Sequence, residues 1–221
     1  MTSHRPTLLA VAHGTRSATG QQQVRDLVAA VARRRPELDV RLSYADVQQP
    51  RIGAVVPTVG DAVVVPLLLS AGYHVRVDIA DAVVGTGFPV TAPLGPDPVL
   101  LESLDRHLPD ADAVVLAAAG SSDPGWLFSI TEAASALGNA HVAYVSGSEP
   151  KVADVVAGLR RQGARRIAIA AYLLAEGLFY RTLHRAGADS VTPPFALDPA
   201  VVSLIVRRYE SALLTTGPAR M

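Results

Sequence analysis

The chain has no cysteine. That absence excludes disulfides, thiolate metal sites and cysteine nucleophiles together. Charge of one sign is also missing: 20 Lys and Arg balance 20 Asp and Glu, a formal net charge of +0. A duplex-binding surface normally carries a basic excess, so nucleic acid is not an expected partner. No charge-free apolar run reaches the length of a spanning helix, because Gly or Pro interrupts each candidate, and no membrane association is expected. The opening Met1-Thr2-Ser3-His4-Arg5-Pro6 lacks a signal-peptide layout, which makes a cytoplasmic soluble protein the expectation. Phosphate-cradling patterns of the G-x-G-x-x-G and G-x-x-x-x-G-K-[ST] kinds do not open a helix here. A G-x-S-x-G nucleophile elbow is absent as well. What remains is 221 residues, 49% hydrophobic and 18% charged, ample for a buried core.

The chain reads twice. Leu8-Leu9-Ala10-Val11-Ala12-His13-Gly14-Thr15-Arg16-Ser17 is answered by Val114-Val115-Leu116-Ala117-Ala118-Ala119-Gly120-Ser121-Ser122-Asp123, at an offset of 106 (120 − 14). Leu67-Leu68-Leu69-Ser70-Ala71-Gly72-Tyr73-His74 pairs with Tyr172-Leu173-Leu174-Ala175-Glu176-Gly177-Leu178-Phe179, at 105 (177 − 72). Thr91-Ala92-Pro93-Leu94-Gly95-Pro96-Asp97-Pro98 pairs with Thr192-Pro193-Pro194-Phe195-Ala196-Leu197-Asp198-Pro199, at 101 (198 − 97). Three blocks in one order indicate duplication of a single unit. The expected domains are 1–110, carrying the metal site, and 111–221, a degenerate repeat forming an opposing wall, with the junction at Leu108-Pro109-Asp110-Ala111-Asp112. The copies differ where it matters chemically: His13 faces Ala119, and His74 faces Phe179.

Apolar runs without polar alternation alternate with helical patterns, the signature of parallel strands covered on both faces. Strands are expected at Thr7–Ala12, Asp39–Tyr44, Ala62–Leu69 and Phe88–Ala92. In the second half they are expected at Ala113–Ala118, His141–Val145, Arg166–Leu174 and Ser190–Thr192. Val24, Leu27, Val28 and Val31 follow the i, i+3, i+4, i+7 spacing of a helix face. Asp97-Pro98 and Asp198-Pro199 place a capping side chain before Pro at a first helical position, and Glu149-Pro150 points to a helix opening at Pro150. The fold class is therefore α/β: two similar doubly wound parallel-sheet units related by pseudo-two-fold symmetry.

Ligands of such sheets sit beyond the carboxyl ends of the strands. His13, Asp46 and His74 follow three strands of the first unit, 33 and 28 residues apart (46 − 13 and 74 − 46). His74 is placed at a helix start, where the positive end of the dipole favours the neutral, metal-binding imidazole. Asp46 is a candidate ligand or base, or a turn residue ahead of Pro50. Arg16, Arg51 and Arg76 are candidates for substrate carboxylates, since guanidinium donors match two oxygens at once. Ser70, Gly72 and Tyr73 complete the candidate substrate-binding set. His4, His107, His141 and His184 have no convergent partner and read as structural or surface residues.

These segments resemble a known family. Ala12-His13-Gly14-Thr15-Arg16-Ser17 is similar to its opening H-G-[ST]-R segment, and Val65 to Ile79, with Gly72-Tyr73-His74 at its centre, is similar to its most distinctive one. The family is that of the sirohydrochlorin cobaltochelatases and ferrochelatases, the ATP-independent class II chelatases. Its long members are fused duplications, as here. The resemblance implies insertion of Co²⁺ or Fe²⁺ into sirohydrochlorin, on the path to cobalamin or sirohaem, by a chelatase (lyase). It gives His13 and His74 the roles of metal ligands and proton acceptors, and passes to Asp46 a role often held by glutamate. It implies no cofactor beyond the substrate metal, a tetrapyrrole and a divalent metal as partners, and a chain that works as a monomer, with a dimer as the alternative. Imidazole and carboxylate suit late first-row divalent ions. Rival readings are a tetrapyrrole or metal carrier without catalysis, a two-lobed solute-binding protein, and a phosphohistidine enzyme. The last lacks its arginine, because Ala12 precedes His13.

Overall fold

The computed structural model describes residues 5–70, 73–121 and 124–215; for 73–76 and 124 it describes the backbone alone. The first strand, β1 (Thr7–Ala12), is buried at every position. Branched and small apolar side chains on both faces suit a central strand under helices. It lies between β2 (Val40–Tyr44) and β3 (Ala62–Pro66), all parallel, in the order β2-β1-β3. Helix α1 (Ala18–Arg34) makes the first crossover. The Ser17 hydroxyl caps it by accepting from the Gly20 amide at 3.4 Å, Arg33 and Arg34 sit in its last turn, and Val24, Leu27, Val28 and Val31 form its buried stripe. A short α2 (Ile52–Val55) and α3 (Tyr73–Val83) complete the crossovers. Leu9, Val11, Ile52, Val55, Val64, Leu68 and Ile79 meet in one core cluster. Each such fully buried side chain contributes on the order of 1.5–3 kcal/mol.

The second repeat builds the same unit. Its sheet, in the order β5-β4-β6-β7, has β4 (Ala113–Ala118) flanked by β5 (His141–Tyr144) and β6 (Ile167–Tyr172), with β7 (Ser190–Val191) outside β6. Helices α5 (Pro124–Ala136), α6 (Val152–Arg161) and α7 (Leu178–Leu183) link them. Val115, Ala117, Val156, Ile167, Ile169 and Leu183 belong to its core cluster. Two helices remain: α4 (Pro98–His107), capped by Asp97, whose carboxylate accepts from Val99 N–H at 3.1 Å, and α8 (Pro199–Thr215).

These two helices separate the compact units from the halves 1–110 and 111–221. One unit runs to Leu94 and resumes at Pro199; the other is Gly95–Asp198. Thus α8 packs on α1 and β3, and α4 on β6. Within the first unit, the Tyr209 hydroxyl donates to the Pro6 carbonyl at 2.6 Å, and Arg208 reaches the carbonyls of Pro93 and Leu94. Within the second, the buried Asp198 carboxylate accepts from Ser103 and from Arg106, the latter at 2.6 Å. Each repeat's closing helix therefore belongs to the unit founded by the other repeat.

Two expectations are corrected. Phe88–Ala92 is no strand but a single bridge of Val90 to Val64. Pro89 and Pro93 lack the N–H that a ladder needs, and the segment holds Val64 only through the Pro89 carbonyl and the Thr91 amide, each at 2.9 Å. Helix α6 opens at Val152 and not at Pro150. The Pro150 carbonyl is taken by the Tyr144 amide at 2.8 Å, and the bridge of Tyr144 to Lys151 keeps that stretch extended. Among the described residues, no helix is long and apolar enough to cross a membrane.

Candidate functional site

At the carboxyl edge of the first sheet the β1–β2 ladder runs beyond both strands. Ala45 N–H donates to the Ala12 carbonyl at 2.9 Å, and Asp46 N–H to the His13 carbonyl at 3.0 Å. His13 and Asp46 are thereby set side by side, and both are exposed. Gly14 makes this approach possible. It has φ +98°, and a Cβ there would stand 2.2 Å from the Asp46 carbonyl oxygen.

The Asp46 loop has its own fixed shape. Gln48 N–H donates to the Asp46 carbonyl at 2.7 Å across Val47, whose φ is +65°. This is a γ-turn of the positive-φ kind, rare and strained for a β-branched residue. The Gln48 side-chain oxygen accepts from Thr15 N–H at 2.9 Å, while the Gln21 amide donates to the Thr15 carbonyl at 2.8 Å. Two glutamines thus grip the backbone two residues beyond His13. The Asp46 carboxylate meets Arg51 at 2.7 Å, and the same guanidinium donates to the Ala45 carbonyl at 2.8 Å. The Asp46 carboxyl is held below its ordinary range, first by the Val47 backbone N–H, then by Arg51, with a lesser contribution from the nearby His13 charge.

Of the sequence-derived candidates, the structure gathers His13, Asp46 and Arg51 into one loop cluster. Arg16 is exposed on the same loop as His13, and Ser70 is half-buried beyond β3. Gly72 and the side chains of Tyr73, His74 and Arg76 lie outside what is described; the backbone of those three opens α3. Among the described residues, no three His, Asp or Glu side chains form a metal-binding group. Sequence reasoning missed Val47, Gln48 and Gln21. The signal for the first two was a fourth repeat block, Tyr44 to Arg51 against Tyr144 to Lys151, at an offset of 100 (151 − 51).

That block shows what the second repeat keeps. Ser146 N–H donates to the Ala119 carbonyl at 3.0 Å, Gly120 has φ +103°, and Ser148 N–H donates to Ser146 across Gly147 at φ +67°. The Ser148 hydroxyl accepts from Ser121 N–H at 3.1 Å and donates to the Ser121 carbonyl at 2.8 Å, replacing both glutamines. The frame is the same, without imidazole or carboxylate. Since Val47 is 41% exposed, Val47→Gly loses little burial and relieves about 1–2 kcal/mol of left-handed strain. Against this stands the added chain entropy of glycine, about 0.5–1 kcal/mol. We expect a net stabilisation of about 0.5–1 kcal/mol in denaturant titration. An unchanged or lowered midpoint would mean that Val47 makes contacts worth more than its strain.

Fold and loop cluster define a duplicated parallel α/β protein with its polar residues at the strand-carboxyl edge of one repeat. Solved structures share nearly its whole length. SirB from Bacillus subtilis with Fe³⁺ superposes with a TM-score of 0.79 at 23% identity, over 96% of this chain and 98% of that one. The sirohydrochlorin chelatase SirB from Bacillus subtilis subspecies spizizenii in complex with cobalt gives 0.73 at 21% identity, over 96% and 97%. DR2241 from Deinococcus radiodurans, a multi-domain protein with structural similarity to chelatases, gives 0.65 at 19% identity, over 97% of this chain and 56% of its own. No curated protein matches. The CbiX family model matches twice, over residues 7–111 and 113–212, and the chain belongs to the CbiX family.

Proposed function

We propose that this chain inserts Co²⁺ or Fe²⁺ into sirohydrochlorin, on the route to cobalamin or sirohaem, with His13 and His74 as metal ligands and proton acceptors. The observation that carries the reading is the pairing of His13 with Asp46 at the carboxyl edge of β1 in a chain whose two halves both match the CbiX family. Insertion replaces two pyrrole N–H protons by one divalent ion, so the protein must hold the ion loosely and accept protons. Imidazoles do both, and with no cysteine in the chain the metal cannot be trapped by thiolate. The exposure of His13 leaves room for a metal with open coordination positions. The metal is a substrate, and the reading calls for no further cofactor. Arg16, exposed beside His13, is assigned in this reading to a macrocycle carboxylate, and Arg76 to another by the resemblance alone, whereas Arg51 is already engaged by Asp46.

Anaerobic turnover of sirohydrochlorin with each metal tests the proposal by the absorbance change on insertion. A chain that binds macrocycle and metal yet leaves the rate at its uncatalysed value is a carrier, and the chelatase reading falls. The pH profile of kcat at saturating substrate assigns the proton acceptor. The Asp46 carboxyl is held below the usual carboxylate range by the Val47 backbone N–H and by Arg51, so it is ionised throughout the neutral range. A decline in kcat between about pH 6 and 7 is expected for an imidazole acceptor and cannot come from Asp46. A profile flat to about pH 5 would remove histidine from the rate-limiting step.

A further inference from the structure

The second repeat keeps more of the His74 segment than a discarded site needs. At the offset of 105, Tyr73-His74-Val75-Arg76 stands against Leu178-Phe179-Tyr180-Arg181. The arginine is retained (181 − 76 = 105), while the tyrosine and histidine have become leucine and phenylalanine. These replacements are not core residues. Leu178 is 67% exposed and Phe179 38% exposed, at the opening of the six-residue α7. The opposite side of α7 is well anchored: Leu183 is fully buried, and the Tyr180 hydroxyl donates to the Thr192 carbonyl at 3.1 Å. Arg181 lies one turn beyond Leu178, exposed, and in no ion pair among the described residues. The segment follows β6, the second repeat's counterpart of β3, at the strand-carboxyl edge where α/β sheets bind ligands.

The geometry points to a macrocycle-holding face in the second unit: Phe179 and Leu178 against the flat apolar ring, and Arg181 on one of its peripheral carboxylates. The inference rests on the chelatase reading and extends it to substrate recognition. An exposed aromatic beside an exposed aliphatic costs solubility and gains nothing in the free protein. Against a planar conjugated ring the same pair buries apolar area and stacks. The ligand is also polyanionic, and Arg181 provides the matching cation with a planar fork for carboxylate. The exchange of histidine for phenylalanine is then a division of labour: one repeat handles metal and protons, the other holds the organic substrate.

The test uses the whole chain and metal-free sirohydrochlorin, with binding read from the absorbance or fluorescence of the macrocycle. Phe179→Ala is expected to weaken macrocycle binding about tenfold. Phe179→Trp should retain it, and Leu178→Ser should weaken it by a smaller factor. Arg181→Ala should weaken binding and flatten its salt dependence. Co²⁺ titrated without macrocycle should bind wild type and Phe179→Ala alike, which separates this face from the metal site. All three side chains are exposed or half-exposed, and unchanged melting temperatures confirm that the variants fold. If wild type takes up the macrocycle and Phe179→Ala binds it equally well, the inference falls and the chelatase reading stands. If wild type takes up no macrocycle, both fall together.

Discussion

His13→Ala should lose about two to four orders of magnitude in the rate of metal insertion, the range that a positioned proton acceptor contributes, while melting as wild type does. The separation of effects follows from geometry. The His13 side chain is exposed, so truncation opens no cavity. The tie between β1 and the Asp46 loop uses the His13 backbone carbonyl, at 3.0 Å from the Asp46 amide, and alanine keeps it. Thr15 stays gripped by Gln48 and Gln21. His74→Ala, at the opening of α3, should lose a comparable factor, with the Co²⁺ affinity of the free protein reduced in both variants. Turnover near that of wild type in either variant, with metal below saturation, would withdraw that histidine from the site.

What the sequence shows and what it hides divide along physical lines. The limits of β1 and β4 coincide with those read from the apolar runs Thr7–Ala12 and Ala113–Ala118, because strands buried on both faces leave an unbroken signal. The buried stripe of α1 was equally legible, since Val24, Leu27, Val28 and Val31 keep helical spacing. Phe88–Ala92 misleads because its apolar content suits a strand while Pro89, which has no N–H, interrupts the ladder. The exchange of α4 and α8 between units was out of reach for a different reason. Amphipathic spacing tells which face of a helix is buried but not which sheet buries it. The candidate site was half legible. Residue type and strand ends placed His13 and Asp46 at one edge. The bond that joins them runs through backbone atoms, and backbone atoms carry no residue identity. The ion pair of Asp46 with Arg51 also escapes the sequence, because residue type does not tell whether a carboxylate and a guanidinium meet a ligand or one another.

Gly14→Ala and Gly120→Ala should each destabilise the protein by about 3 kcal/mol or more, combining left-handed strain with a collision. A Cβ on Gly14 would lie 2.2 Å from the Asp46 carbonyl oxygen, and one on Gly120 1.8 Å from that of Ser146. Neither oxygen can simply retreat, for each accepts the amide two residues on, Gln48 or Ser148, at 2.7 Å. Nor can the glycines swing to negative φ without breaking the bonds from Asp46 N–H to His13 and from Ser146 N–H to Ala119. Thermal or denaturant unfolding measures the loss, and a change under about 1 kcal/mol would mean that the two loops part easily. The two variants should then diverge in function. At a temperature where both remain folded, Gly14→Ala still displaces His13 from Asp46 and should lower the insertion rate per folded molecule. Gly120→Ala disturbs a loop whose matching residues are Ala119 and Ser146, which offer no metal ligand and no proton acceptor, and it should insert metal at close to the wild-type rate. Equal losses of rate in the two variants would contradict the confinement of metal handling to the first repeat, whatever their common cost in stability.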